Sequence, residues 1–133
     1  MRSLVRETIF KFMFAKFFNP EDEELFAVLL KNGNFNDDDK KFAETLLFAV
    51  EKDKTEILSE IDDYARKFSF NRVHCADKCA LLIGVSELKN FPETPVAVVI
   101  DEAVSLAAKY STEKSTDFVN AVMSQYVKEK KNG

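Results

Sequence analysis

Apolar residues recur at three- and four-residue steps along most of the chain, the period of helices with one buried face. Two series in the C-terminal third are the clearest. Val96, Val99, Ile100, Ala103, Leu106, Ala107 and Tyr110 make one stripe, and Phe118, Val119, Val122, Met123 and Tyr126 make a second. The run Val96 to Ile100 is rich in β-branched residues and on its own reads as a strand. Length decides for a helix: the period continues through Tyr110, over about four turns, and Asp101 and Glu102 would interrupt a buried strand. Thr94 is the expected cap and Pro95 the first helical residue, where a missing N–H is no loss. The next helix is expected to start near Ser115. Asn120 lies beside its stripe and needs partners if buried.

Upstream, a helix is expected from Ser3 to Phe18, apolar on nearly every side and so either central to a bundle or covered by a partner. Arg2, Arg6, Phe10 and Phe14 follow one another at i, i+4, forming a stripe with cations first and aromatics after. Asn19-Pro20 before Glu21, Asp22, Glu23 and Glu24 predicts a helix start, which ends at Asn32-Gly33. Residues 34–39 read as a loop and a new cap. From Phe42 to Phe68 the period survives the charged stretch Glu51 to Lys54, which predicts one long helix, although Asp53 with Glu56 offers a second start. A further helix is expected from Asn71 to Lys89, stopped by Asn90-Phe91-Pro92. Within it Ala80 and Gly84 are small enough for close helix approach. Lys128 to Gly133 reads as a flexible basic tail.

Composition narrows the class. The 133 residues suffice for one domain with a real core, and three Gly and three Pro leave little for β turns, which favours an all-α fold. Formal charge is -4, but it is unevenly placed: +3 over residues 1–19, -9 over residues 20–65 and +2 from residue 66 on. A uniformly basic nucleic-acid binder is excluded, and a localised cationic face is not. Cys75 and Cys79, beside His74, suggest a metal or redox site. A structural zinc usually takes four ligands in recognised spacings, however, and no second Cys/His pair exists. No metal or cofactor is therefore expected, and the plainer reading is two small helix residues in a reducing cytosol. One His, no Gly-rich phosphate loop and no nucleophile with an evident base argue against an enzyme, so no catalytic residue is assigned. Lys11 and Lys16 interrupt the greasy run Phe10 to Phe18, no cleavage site follows it, and no stretch nears the ~20 apolar residues of a membrane span. A cytoplasmic protein is expected.

The Arg2-Arg6-Phe10-Phe14 stripe is a small RNA-binding vocabulary, since guanidinium groups pair phosphates and rings stack on unpaired bases. Core packing and solvated arginines would account for the same four residues. The order Pro95, Val96, Val98, Ile100-Asp101-Glu102-Ala103-Val104, Leu106-Ala107, Tyr110, Ser115 and Phe118-Val119-Asn120, however, resembles the C-terminal signature of the NusB family. The start resembles that family's R-x-x-A-R-E-x-A-L-Q-A-L-Y helix: Arg2, Arg6 and Glu7 are identical, and Phe14 stands for the usual Tyr. Between them Phe68, Arg72, Asp77, Ala80, Leu81, Ile83, Glu87 and Leu88 resemble the family's W-x-x-x-R, then D or E, then a run like A-x-L-R-L-A-x-x-E-L. Leu82 replaces an Arg of that pattern, Ala108 a frequent Lys and Ala121 a usual Gly. The likeness runs from residue 2 to residue 123.

The resemblance implies a NusB-like bundle of about six to seven helices in two packed sub-bundles, near residues 3–66 and 71–127. It implies a transcription antitermination factor that binds boxA-type single-stranded RNA in ribosomal RNA leader transcripts. The partner would be NusE, a small-subunit ribosomal protein, within the RNA polymerase antitermination complex. On this reading Arg2 and Arg6 take phosphates, Phe14 stacks on a base, Asp77 accepts hydrogen bonds from base edges, and Arg72 touches the protein partner. Homodimerisation occurs in the family and would hide the RNA face. The missing cations at Leu82 and Ala108 support an alternative, a helical protein-interaction module whose RNA affinity has weakened.

Overall fold

In the computed structural model the described residues, 2–132, form six helices and no strand. These are α1 (Arg2–Phe18), α2 (Leu25–Asn32), α3 (Asp37–Lys67), α4 (Cys75–Asn90), α5 (Val96–Tyr110) and α6 (Glu113–Asn132). Among them no helix is long and apolar enough to cross a membrane.

The centre of the bundle is α4, which packs against α1, α3, α5 and α6. Every residue from Cys79 to Glu87 is buried, and burying Leu81, Leu82 and Ile83 is worth roughly 1.5–3 kcal/mol each relative to exposure. Gly84 lets α6 and α5 come close: a Cβ there would lie 2.7 Å from the Met123 methyl and 3.1 Å from the Ala103 Cβ. The first helix, α1, is more one-sided than its composition suggests. Val5, Ile9, Phe10 and Met13 are buried, whereas Leu4, Phe14 and Phe18 face out. The α1–α3 and α4–α6 sub-bundles share one continuous core from Val5 to Tyr126.

The long helix forms as expected. The Asn36 side chain caps α3 by accepting from the Asp39 N–H at 2.8 Å, and Glu51 on its exposed face meets Lys16 of α1 at 3.4 Å. Several helix ends differ from expectation. The run after Pro20 is not helical: the Asn19 N–H bonds back to Ala15 and the Asp22 N–H to Asn19, so the chain first turns away from α1. The Asp22 carboxylate then caps α2 by accepting from the Leu25 N–H at 3.1 Å. Past α2, Gly33 has an ordinary φ of -73° and Asn34 takes the left-handed conformation with φ 53°. Gly33 is needed for another reason, since a Cβ there would lie 2.3 Å from the buried Phe35 ring.

Helix α4 begins at Cys75, four residues later than Asn71. Ser69, also left-handed with φ 53°, ends α3, and the Phe70 N–H bonds to the Ala65 carbonyl at 2.8 Å. The segment 69–74 therefore leaves α3 as a connector. Thr94 does not cap α5: its buried hydroxyl has no hydrogen-bond partner, and the Pro95 carbonyl accepts the first bonds, from the Val98 and Val99 N–H groups. At α6 the Thr112 hydroxyl accepts from the Ser115 N–H at 3.1 Å, moving the start back to Glu113. Asn120 is exposed and raises no burial cost. The expected tail from Lys128 is helical through Asn132, and Gly133 lies outside the described residues. Leu82 is fully buried, so an uncharged residue there removes no surface cation, whereas Ala108 is exposed.

Candidate functional site

Three side-chain clusters lie along the seam between α1 and helices α4 and α5, the first near the C-terminal end of α4 and the other two near its N-terminus and the α5–α6 turn. The first is charged and internal. Arg6, only 3% exposed, forms a two-pronged pair with Glu87 of α4, Nε to Oε1 at 2.7 Å and Nη2 to Oε2 at 2.6 Å. Its Nη1 donates to Glu102 of α5 at 3.2 Å, and the Ser3 hydroxyl donates to the same carboxylate. Burial works against the Arg6 charge, but the hydrogen bond and the charge of Glu87 outweigh it and its pKa is raised. One side chain thus ties three helices together.

The second cluster is aromatic and ends at the surface. Phe10 stacks on Tyr110 of α5 with centroids 4.7 Å apart, Phe14 stacks on Phe10 at 6.1 Å, and Phe18 tilts against Phe14 at 5.2 Å. Exposure rises along the series, from a buried Phe10 to 37% at Phe14 and 72% at Phe18. The Tyr110 hydroxyl donates to Glu7 Oε2 at 2.7 Å, as does Lys109 Nζ at 2.6 Å. Hydrogen bonds from Lys109 and then Tyr110 hold the Glu7 pKa below its usual value. Burial and the bond to Glu7 push the Tyr110 phenol up, so it stays a donor.

The third cluster fixes the wall opposite Phe14. Asp77 caps α4, its Oδ2 accepting from the His74 N–H at 2.9 Å, and its Oδ1 accepts from the Ser111 hydroxyl at 2.6 Å. Ser115 Oγ joins Ser111 Oγ at 2.9 Å and Thr112 Oγ1 at 2.8 Å. Between the walls is an open cleft of about 410 Å³ lined by Phe14, His74, Cys75, Ala76, Tyr110, Ser111 and Thr112. It combines aromatic faces with hydroxyl groups, a surface suited to an unstacked base.

Of the five residues singled out from the sequence, Phe14 stands on this cleft. Arg2 is exposed, with its guanidinium 4.2 Å from the Phe42 ring centroid, about 18 Å along α1 from Phe14 at 1.5 Å per residue. Arg72 is exposed in the connector before α4. Arg6 and Asp77 are below the surface, and both oxygens of Asp77, which is 0% exposed, already accept bonds from the protein. Their expected roles as direct contacts require atoms that here face inward. The sequence reading placed Tyr110 in a core stripe and His74 beside a metal candidate. The i, i+4 aromatic ladder pointed at the first wall, but nothing local joins it to residues nearly 100 positions away. Burial pushes both thiols, Cys75 and Cys79, to higher pKa, so they are held as neutral thiols beside the cleft.

A model described as NusB family matches residues 1–128. The chain is 39% identical over 94 residues to the transcription antitermination protein NusB of Elusimicrobium minutum, covering 70% of this chain and 67% of that protein. It is 31% identical over 111 residues to NusB of Finegoldia magna, covering 84% and 81%. Its fold superposes on T. maritima NusB with a TM-score of 0.87 and 27% identity, covering 97% of this chain and 92% of that one. It also matches a chain in a crystal structure of antitermination factors NusB and NusE in complex with double-stranded RNA, with a TM-score of 0.80, 30% identity and 96% coverage of each chain.

Proposed function

The chain belongs to the NusB family, and on that premise we propose that it is a cytoplasmic transcription antitermination factor, not an enzyme. It binds boxA-type single-stranded RNA of ribosomal RNA leader transcripts together with NusE, supporting processive transcription by RNA polymerase. The observation that carries this reading here is the exposed face of Phe14, backed by Phe10 and Tyr110, on a cleft with hydroxyl-bearing walls.

Phe14 stacks on a base, and Arg2 at the far end of α1 takes a phosphate of the same strand. Arg6 and Asp77 act by position: the first seats α1 on α4 and α5, and the second locks the α4 start to the α5–α6 turn. Arg72, exposed on the connector, is a contact for NusE. The test is fluorescence anisotropy with a boxA-like RNA and a scrambled control at two salt concentrations, with and without NusE. Selective, salt-sensitive binding that tightens with NusE and weakens about tenfold in Phe14→Ala supports the reading, since one base–aromatic stack is worth about 1–3 kcal/mol. The inward-facing Arg6 and Asp77 favour one alternative, a protein-interaction module. NusE binding without RNA selectivity would establish it.

A further inference from the structure

The two cysteines of the chain are one helical turn apart on α4, and the function proposed above uses neither. Cys75 opens the helix, is half-buried, and lines the Phe14 cleft beside His74 and Ala76. Cys79, one turn further on, is fully buried. Residues four apart share a helix face, and the two thiols are within hydrogen-bonding reach of each other. Burial keeps both protonated, and the charges of Lys78 on the same helix and Lys54 of α3 act on both. Among the described residues no group of three or more His, Cys, Asp and Glu side chains is placed to hold a metal ion, so the four-ligand tetrahedron that zinc takes is not built here. Two sulfurs on one helix face are nevertheless a complete ligand set for one class of ion. Soft thiolates select soft cations, and a monovalent ion with a filled d shell is satisfied by two of them in line.

We propose that Cys75 and Cys79 form a two-coordinate site for a soft monovalent cation, Cu(I) being the physiological example. Binding replaces two S–H bonds by two metal–sulfur bonds. The cation enters, both thiol protons leave to solvent, no electron moves, and the site passes from neutral to one negative charge. Lys54 and Lys78 offset that charge, which would otherwise be costly so close to the core. Entry is from the cleft at Cys75, and the buried Cys79 completes the pair. Calcium and magnesium, which take oxygen ligands, and zinc, which takes four donors, gain too little from two sulfurs. The site also shares a wall with the RNA cleft. A negative charge at Cys75 repels the phosphates of a strand seated on Phe14, and by reciprocity the strand weakens the hold on the ion. That coupling rests on the RNA reading; the ion site does not.

The test is an anaerobic titration of the full, reduced chain with Cu(I) against a coloured Cu(I) chelator, with Ag(I) as a second probe that brings no redox chemistry. The expected result is one ion per chain, sulfur-to-metal charge-transfer absorbance, and two sulfur neighbours with no nitrogen or oxygen in the X-ray absorption spectrum. Cys75→Ser and Cys79→Ala should each abolish retention against the chelator. Circular dichroism melts show whether each variant folds, and Cys75→Ser, at the half-buried first residue of α4, decides the matter if the core variant does not. Retention at the parent's level by a folded single-cysteine variant, one ion shared between two chains, a nitrogen neighbour, or loss of the ion to the chelator from the parent itself would each overturn the site. The coupling is read separately, by anisotropy with a boxA-like RNA and NusE. Cu(I) should weaken RNA binding several-fold in the parent and leave Cys75→Ser unchanged. If the ion binds one to one while RNA affinity stays the same, the coupling is overturned and the site stands. If the metal-free parent binds no boxA-like RNA, the RNA reading fails, and the chelator titration still decides the site.

Discussion

Arg6 and Glu87 show how residue type and residue role separate once burial is known. An arginine near a helix start reads as a solvated cation, yet here its fork closes on a carboxylate at 2.6 and 2.7 Å in the core. Removing one partner strands the other charge away from water. Arg6→Ala is therefore expected to lose about 3–5 kcal/mol, measured by urea unfolding. The double variant Arg6→Met/Glu87→Leu should recover most of that, because an apolar pair of similar size leaves no charge stranded in the core, while the part-exposed Glu102 loses its Arg6 partner but keeps the Ser3 hydroxyl. Glu7 gives a pH signature. Its folded pKa is depressed by Lys109 and Tyr110, so its stabilising contribution is present above its unfolded value of 4.5 and is lost as pH falls through the folded value. Glu7→Gln should then be less stable than the parent at pH 7, and the two acid-unfolding curves should converge below pH 4.5.

At the scale of the helix, caps and close contacts give the sharpest expectations. Asn36→Ala removes the α3 cap and should cost about 1 kcal/mol in a thermal melt. Gly84→Val pushes branched methyls against Met123 and Ala103 and should cost about 1–3 kcal/mol from overpacking, with no change in surface charge. Both features were legible in the sequence, because a loop before Phe42 needed a cap and Gly84 lay on an apolar helix face. The long α3 and the stripes of α5 and α6 were legible for the same reason: periodicity is local. Helix starts were less so. Pro20 with four acids has every local mark of a first turn, but the chain must first reverse from α1, and Asp22 does the capping two residues beyond Pro20. The α4 start was missed because the turn at Ser69 and the stacking of Phe70 on Phe118 draw residues 69–74 away from helix, and Phe118 is far off in sequence. The candidate cleft was half legible. Its Phe14 wall follows from an i, i+4 pattern; its His74–Thr112 wall depends on Asp77 joining two distant turns.

The whole molecule has one core, and its three tyrosines sample it from three helices: Tyr64 on α3, Tyr110 on α5 and Tyr126 on α6. Each phenol is pushed up, chiefly by burial, and Tyr126 reaches about 12. Their contribution to stability is complete below the ordinary phenol value of 10 and is lost as pH rises through the folded values. Tyrosinate absorbance should thus stay low in the native protein above pH 10 and appear in one step with loss of helical circular dichroism. Separate steps would mean that the two sub-bundles melt independently. The buried Arg6–Glu87 pair has a further consequence at this scale. Because it is a fastener, selection would retain it in any descendant that still needed this bundle, including one that had abandoned RNA entirely. Those two residues testify to ancestry; evidence of a surviving occupation has to come from Phe14 and the exposed groups around it.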